Sequence, residues 1–91
     1  LARLINIGFG NVINAEKIVA VVNPDAAPVK RLMQSAKEAG TSIDATQGRR
    51  TKSVIVTEDS YVVLSALQAE TISRRVNAGW SGEEKGDNYE P

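Results

Sequence analysis

The chain predicts an α+β domain: a small, largely antiparallel sheet with two helices, in the order β-β-α-β-β-β-α. Three observations carry this. Short runs rich in Val and Ile recur at residues 4–9, 17–22, 53–57 and 61–67, the composition of strands. Two other stretches, 27–39 and 69–78, space their apolar residues as helices do. The helices do not alternate one for one with strands, which argues against a repeating βαβ sheet.

In Leu4-Ile-Asn-Ile-Gly-Phe9, alternation places Ile5, Ile7 and Phe9 on one face, and Gly8, Gly10 and Asn11 mark a turn or bulge. Lys17–Val22 is apolar on both faces and ends at Asn23-Pro24-Asp25. The helix over 27–39 has Pro28 in its first turn and Gly40 as its C-cap. Val29, Leu32, Met33 and Ala36 form its inward stripe. A short strand around Ser42-Ile-Asp44 leads into Ala-Thr-Gln-Gly-Arg-Arg-Thr-Lys52, followed by a hairpin turning at Glu58-Asp-Ser60. The last helix directs Ile72 and Val76 inward and stops at Gly79.

Ninety-one residues make one domain. Hydrophobic content of 42% and charged content of 24% exclude a disordered chain. Leu1 in place of Met suggests a trimmed start. No apolar run reaches the length of a bilayer span and nothing resembles a secretory leader, so no membrane partner is expected. The absence of Cys fits a cytoplasmic setting. The zero net charge conceals an asymmetry. Residues 1–79 hold ten cations against seven anions, a net of +3, while residues 80–91 hold one against four, a net of −3. We read 1–79 as the folded domain and 80–91 as an acidic, flexible tail.

With no His and no Cys, the commonest general base, metal ligand and strong nucleophile are missing together. Asp44, Glu58 and Asp59 fall at turns, where carboxylates cap and solvate. We expect no catalytic residue, no metal, no cofactor and no small-molecule substrate. Gly8-Phe-Gly-Asn11 lacks the third glycine and the following helix of a dinucleotide loop, so it reads as a tight turn.

The cations give a positive signal. Arg49 and Arg50 can each offer a planar fork to a phosphate, which Lys52 meets as a point charge. Lys30 and Arg31 sit near a helix start, where the macrodipole disfavours cations, so an anion there would supply the missing benefit. Lys17 opens a strand and extends the same patch. The bland alternative is a solvated turn with one Arg paired to Asp44 or a neighbouring acid. Arg74 is explained by pairing with Glu70 one turn away. Placing Phe9 in the core leaves Tyr61, Trp80 and Tyr89 far apart in sequence, which favours duplex DNA held by its backbone over single strands held on aromatic platforms.

Segments 5–11 (Ile-Asn-Ile-Gly-Phe-Gly-Asn), 23–31, 44–55 (Asp-Ala-Thr-Gln-Gly-Arg-Arg-Thr-Lys-Ser-Val-Ile) and 63–72 resemble the RemA family of extracellular matrix regulatory proteins. These are small bacterial DNA-binding activators of biofilm matrix genes. The resemblance implies a homo-oligomeric ring of α+β subunits, nucleoid-associated, with double-stranded DNA along a basic outer surface. It carries DNA contacts onto Arg49 and Arg50, and onto Lys17, where Arg is usual. Lys52 also stands where Arg is common, Asn23 replaces a typical Ser, and Ala69 a typical Pro.

Self-association follows independently from the apolar residues on both sheet faces: two short helices cover one face properly and the second only in part, so other copies of the chain would cover that face or extend the sheet edges. The alternative is a monomer with its helices on opposite faces. Two other functional classes fit the same residues: a protein-interaction module whose basic loop meets an acidic partner, and a nucleotide sensor using Gly8–Asn11.

Overall fold

Burial of apolar side chains on both faces of one sheet organises the structure, a computed structural model that describes residues 3–78. The expected stop at Gly79 and the acidic tail lie outside those residues. Strands β1 (Leu4–Asn6) and β2 (Val12–Asn14) form an antiparallel hairpin. A single 3-10 turn, Ala15–Lys17, leads into β3 (Ile18–Val22). Then come helix α1 (Ala27–Ala39), β4 (Ser42–Asp44), β5 (Ser53–Thr57), β6 (Val62–Ser65) and helix α2 (Ala69–Ala78). The α+β class and mostly antiparallel pairing stand, with one strand more than expected. The addition is β2, whose two apolar residues, Val12 and Ile13, are too few to show a period.

The main sheet has the order β3-β5-β6-β4, antiparallel except where β4 runs parallel to β6. Alternation along β5 and β6 sends Ile55 and Val63 to one face, Val54 and Val62 to the other. The first pair packs with Ile5 and Ile7 of the hairpin strand and turn and with Ile72 and Val76 of α2. The second packs with Val29, Leu32, Met33 and Ala36 of α1. The two helices therefore lie on opposite faces, and a single chain covers both. That removes the uncovered face from which self-association was expected. At about 1.5–3 kcal/mol per buried Val, Leu or Ile, covering both faces is what a domain of this size needs.

Helix α1 begins without a side-chain cap, with Pro in its first turn. It ends in a Schellman arrangement: Gly40, at φ 78, donates to Lys37 O, and Thr41 donates to Ala36 O at 2.9 Å. Helix α2 is tied to the hairpin by Arg75 Nη1 donating to Asn6 O at 2.8 Å, and by Arg3 Nη2 donating to Val76 O at 2.7 Å. The expected Arg74–Glu70 ion pair does not form among the described residues, where Lys17–Glu58 is the pair present.

Two fully buried serines face one another across β5 and β6, Ser53 opposite Ser65. Ser65 Oγ donates to Ile7 O at 2.9 Å and accepts from Leu67 N at 3.0 Å. Ser53 Oγ donates to Leu67 O at 2.9 Å. Ser65 O accepts from Lys52 N at 2.8 Å. One residue thus joins the hairpin, the segment entering α2 and the chain entering β5. Ser65→Ala leaves the Leu67 N–H and the Ile7 carbonyl short of a partner, and should cost about 1–3 kcal/mol in urea unfolding. A loss within ±0.5 kcal/mol, the range of an ordinary surface change, would show that this junction is not structural.

Candidate functional site

Between β4 and β5 the chain is held in a defined shape. Asp44 Oδ1 accepts from Thr46 Oγ1 at 2.6 Å and from Thr46 N at 2.9 Å. These bonds hold the Asp44 carboxyl below the usual carboxylate range, the hydroxyl bond being the larger cause. Asp44 stays ionised, but among the described residues it forms no ion pair with Arg49 or Arg50, contrary to the bland alternative. Gln47 and Gly48 follow with φ of 55 and 79, and Arg49 N donates to Thr46 O at 2.9 Å. Two positive φ angles closed by an i+3 to i bond make a type I′ turn.

The hairpin turn repeats that geometry. Phe9 and Gly10 have φ of 55 and 79, and Asn11 N donates to Gly8 O at 3.0 Å. The alternation that put Phe9 with Ile5 and Ile7 fails here because extended backbone ends before Gly8, at φ 111. Phe9 is 48% exposed and is not a core residue. An added Cβ at Gly8 would make ordinary van der Waals contact with Leu67 Cγ at 3.4 Å, so the φ of 111 and not space is what favours glycine there. Phe9 at the turn apex instead projects its ring to the Arg49 guanidinium, whose Cζ is 5.6 Å from the ring centroid. A large side chain at positive φ costs about 1–3 kcal/mol. An exposed cation–π contact returns about 0.5–1 kcal/mol, so it does not offset the strain.

Arg49, Arg50 and Lys52 are all exposed and line one concavity of about 430 Å³. Gly8, Phe9, Ala66, Leu67, Gln68 and Thr71 complete it. No carboxylate among the described residues is in that lining. Among the described residues, none of the three cationic side chains hydrogen-bonds or ion-pairs. Gln68 and Thr71 bring the first turn of α2 to the edge, adding the partial positive charge of a helix start. Arg50 and Lys52 also border a smaller recess of about 140 Å³ with Asn23, Pro24 and Asp25, where the chain turns toward α1.

The other predicted cations fall elsewhere. Lys17 does not extend this patch within one subunit. Its carbonyl accepts from Glu58 N at 3.0 Å and its Nζ lies 3.4 Å from Glu58 Oε2, beyond the far end of β5. Six residues of extended chain separate that end from Lys52, roughly 20 Å at about 3.3 Å per residue. Lys30 and Arg31 are exposed on α1, across the sheet from the hairpin and α2. They share the loop's end of the sheet, since β3 enters the α1 turn beside the start of β5. Sequence reasoning missed Phe9, Gln68 and Thr71 as site residues. An aromatic between two glycines was the available signal for Phe9; nothing local marked the other two.

Among the described residues no cluster of three or more His, Cys, Asp or Glu could hold a metal ion, and no helix is long and apolar enough to cross a membrane. The family model described as "RemA-like: Extracellular matrix regulatory protein A-like" matches residues 4–76. A protein of Lachnoclostridium phytofermentans is 60% identical over 75 residues, 82% of this chain and 82% of its own length. Relatives from Alkaliphilus metalliredigens and Symbiobacterium thermophilum are each 55% identical over 76 residues, 84% of this chain and 82% and 80% of theirs. All three carry the name "Putative regulatory protein".

The Asp44 tether has a defined pH window. Because folding lowers its pKa, the stabilisation is complete above the usual value of 3.8 and is lost as pH falls through the depressed one. Thr46→Val removes the larger cause, so the Asp44 midpoint in a carboxyl-carbon NMR titration should rise toward the usual value. An unmoved midpoint would mean that the hydroxyl bond is absent in solution.

Proposed function

The chain belongs to the RemA-like family of extracellular matrix regulatory proteins, and from that premise we propose that it is a transcription regulator gripping the backbone of duplex DNA through the loop of Arg49, Arg50 and Lys52. One observation carries the reading: among the described residues, three unpaired cations converge on a concavity whose lining holds no carboxylate. Leaving like charges together is unfavourable unless an anion joins them. The type I′ turn, the Thr46–Asp44 bonds and the Lys52–Ser65 bond fix the backbone that carries them, so less ordering is left to binding. The names of the family and of the relatives describe regulators and not an enzyme, in keeping with a chain that has neither His nor Cys.

One subunit offers about three phosphate contacts, too few for firm binding at physiological salt. Copies of the chain repeat the patch, and linked sites gain roughly 10²–10⁴ in avidity. The surface supports such an assembly. Val19 on β3 is 65% exposed and Ile43 on β4 is 47% exposed, at opposite edges of the sheet. Apolar residues at both edges suit head-to-tail contact, which closes into a ring when the rotation allows. Lys17 then joins the DNA surface only through a neighbour, since its own subunit holds it away from the loop. In keeping with the family description, the targets are extracellular matrix genes and the place of action is the cytoplasm, at the nucleoid.

Light scattering should report several subunits per particle, and a clean monomer would remove the avidity argument. Gel shifts at two salt concentrations test the phosphate grip itself. Binding should fall steeply with salt, and the log–log slope should become shallower by about 0.9 for each phosphate that a variant no longer neutralises. The Arg49→Ala, Arg50→Ala double variant should lose the shifted band while particle size stays constant. An unchanged band would clear the loop of any role.

A further inference from the structure

Phosphates explain the cations of the concavity but not its apolar half. Phe9, Ala66 and Leu67 share the lining with Arg49, Arg50 and Lys52, and a phosphate gains nothing from such a surface. Phe9 is held outward at positive φ, and its contact with Arg49 does not repay that strain. A half-exposed ring beside a guanidinium is the arrangement on which nucleobases stack, and each base is sequence-tolerant there because all have a π-face. The expectation against single strands rested on Phe9 being buried, and Phe9 is exposed.

The geometry points to a seat for one unpaired nucleotide, its base against Phe9 and Arg49 and its phosphate at Arg50, Lys52 and the first turn of α2. The inference rests on reading this loop as a nucleic-acid interface and names what that interface takes besides duplex. A volume of about 430 Å³ lies within the roughly 300–1,000 Å³ of small-ligand sites. A base inside an intact duplex is stacked on both sides and cannot enter without being flipped out. The occupant is therefore a nucleotide from a strand end, a melted stretch or a single strand, or a free nucleotide of the same chemistry.

Fluorescence anisotropy on the full chain tests this with a labelled oligothymidylate, a strand of equal length bearing abasic sites, a blunt duplex, and dTMP as competitor. Oligothymidylate should bind at least roughly fivefold more tightly than the abasic strand, which has the same phosphates and no bases. Phe9→Asn, whose side chain suits a positive-φ turn followed by glycine, keeps the fold and should erase that difference. Duplex and abasic binding in the same variant report whatever is lost through Arg49 alone, and Phe9→Trp should keep the thymidylate preference.

Equal affinity for thymidylate and abasic strands overturns the proposal. So does an equal loss of duplex and thymidylate binding in Phe9→Asn, because a ring that merely positions Arg49 would weaken every probe alike. Competition by dTMP supports the seat for free nucleotides as well as strands. No competition, with the thymidylate preference intact, supports it for strands alone. A thymidylate preference without duplex binding would sink the duplex reading and leave this one standing.

Discussion

The cross-strand pair of buried serines is the constraint on which the site depends. At the inward positions of β5 and β6 the period calls for apolar side chains, and Ile55 and Val63 supply them two residues further along. Ser53 and Ser65 instead offer hydroxyls to the turn after β1 and the entry to α2, and the backbone carbonyl of Ser65 holds the entry to β5. A buried hydroxyl without a partner is costly, so each bond fixes where its segment can lie. The hairpin turn and the basic loop face one concavity because both are referred to the same buried residue.

That arrangement separates what could be read along the chain from what could not. The Pro28 and Gly40 signals placed α1 within its observed bounds, since capping is local chemistry. The strand pair β5 and β6 and the turn between them were legible from Val-rich runs flanking Glu58-Asp-Ser60, although β6 spans only Val62–Ser65 of the run 61–67. The hairpin was not. Its second strand has three residues, and the apparent alternation through Phe9 crosses a glycine at φ 111 that ends the extended backbone. The disposition of the helices was also beyond reach. Apolar residues on both sheet faces are compatible with a second copy or with a helix on each side, and only packing decides.

The basic loop was found by its composition, and its three cations do come together. Lys17 was grouped with them because it too precedes a strand, but β3 and β5 are antiparallel, so equivalent positions in sequence fall at opposite ends of the sheet. The fate of Asp44 was a competition between partners. Thr46, two residues on, reaches it with both hydroxyl and amide at no loop-closure cost, and the arginines are left without it. A local bond thereby leaves the arginine forks free to meet another anion.

The register of β3 shifts between Ile18 and Ala20, and Val19 projects from the irregularity. A regular free edge would invite strand after strand from other chains in an indefinite ribbon. A bulge breaks the ladder that an incoming strand would have to match, and the opposite border, β4, has only three residues. Both margins of the sheet are thus poor templates for fibre growth even though they keep apolar side chains exposed.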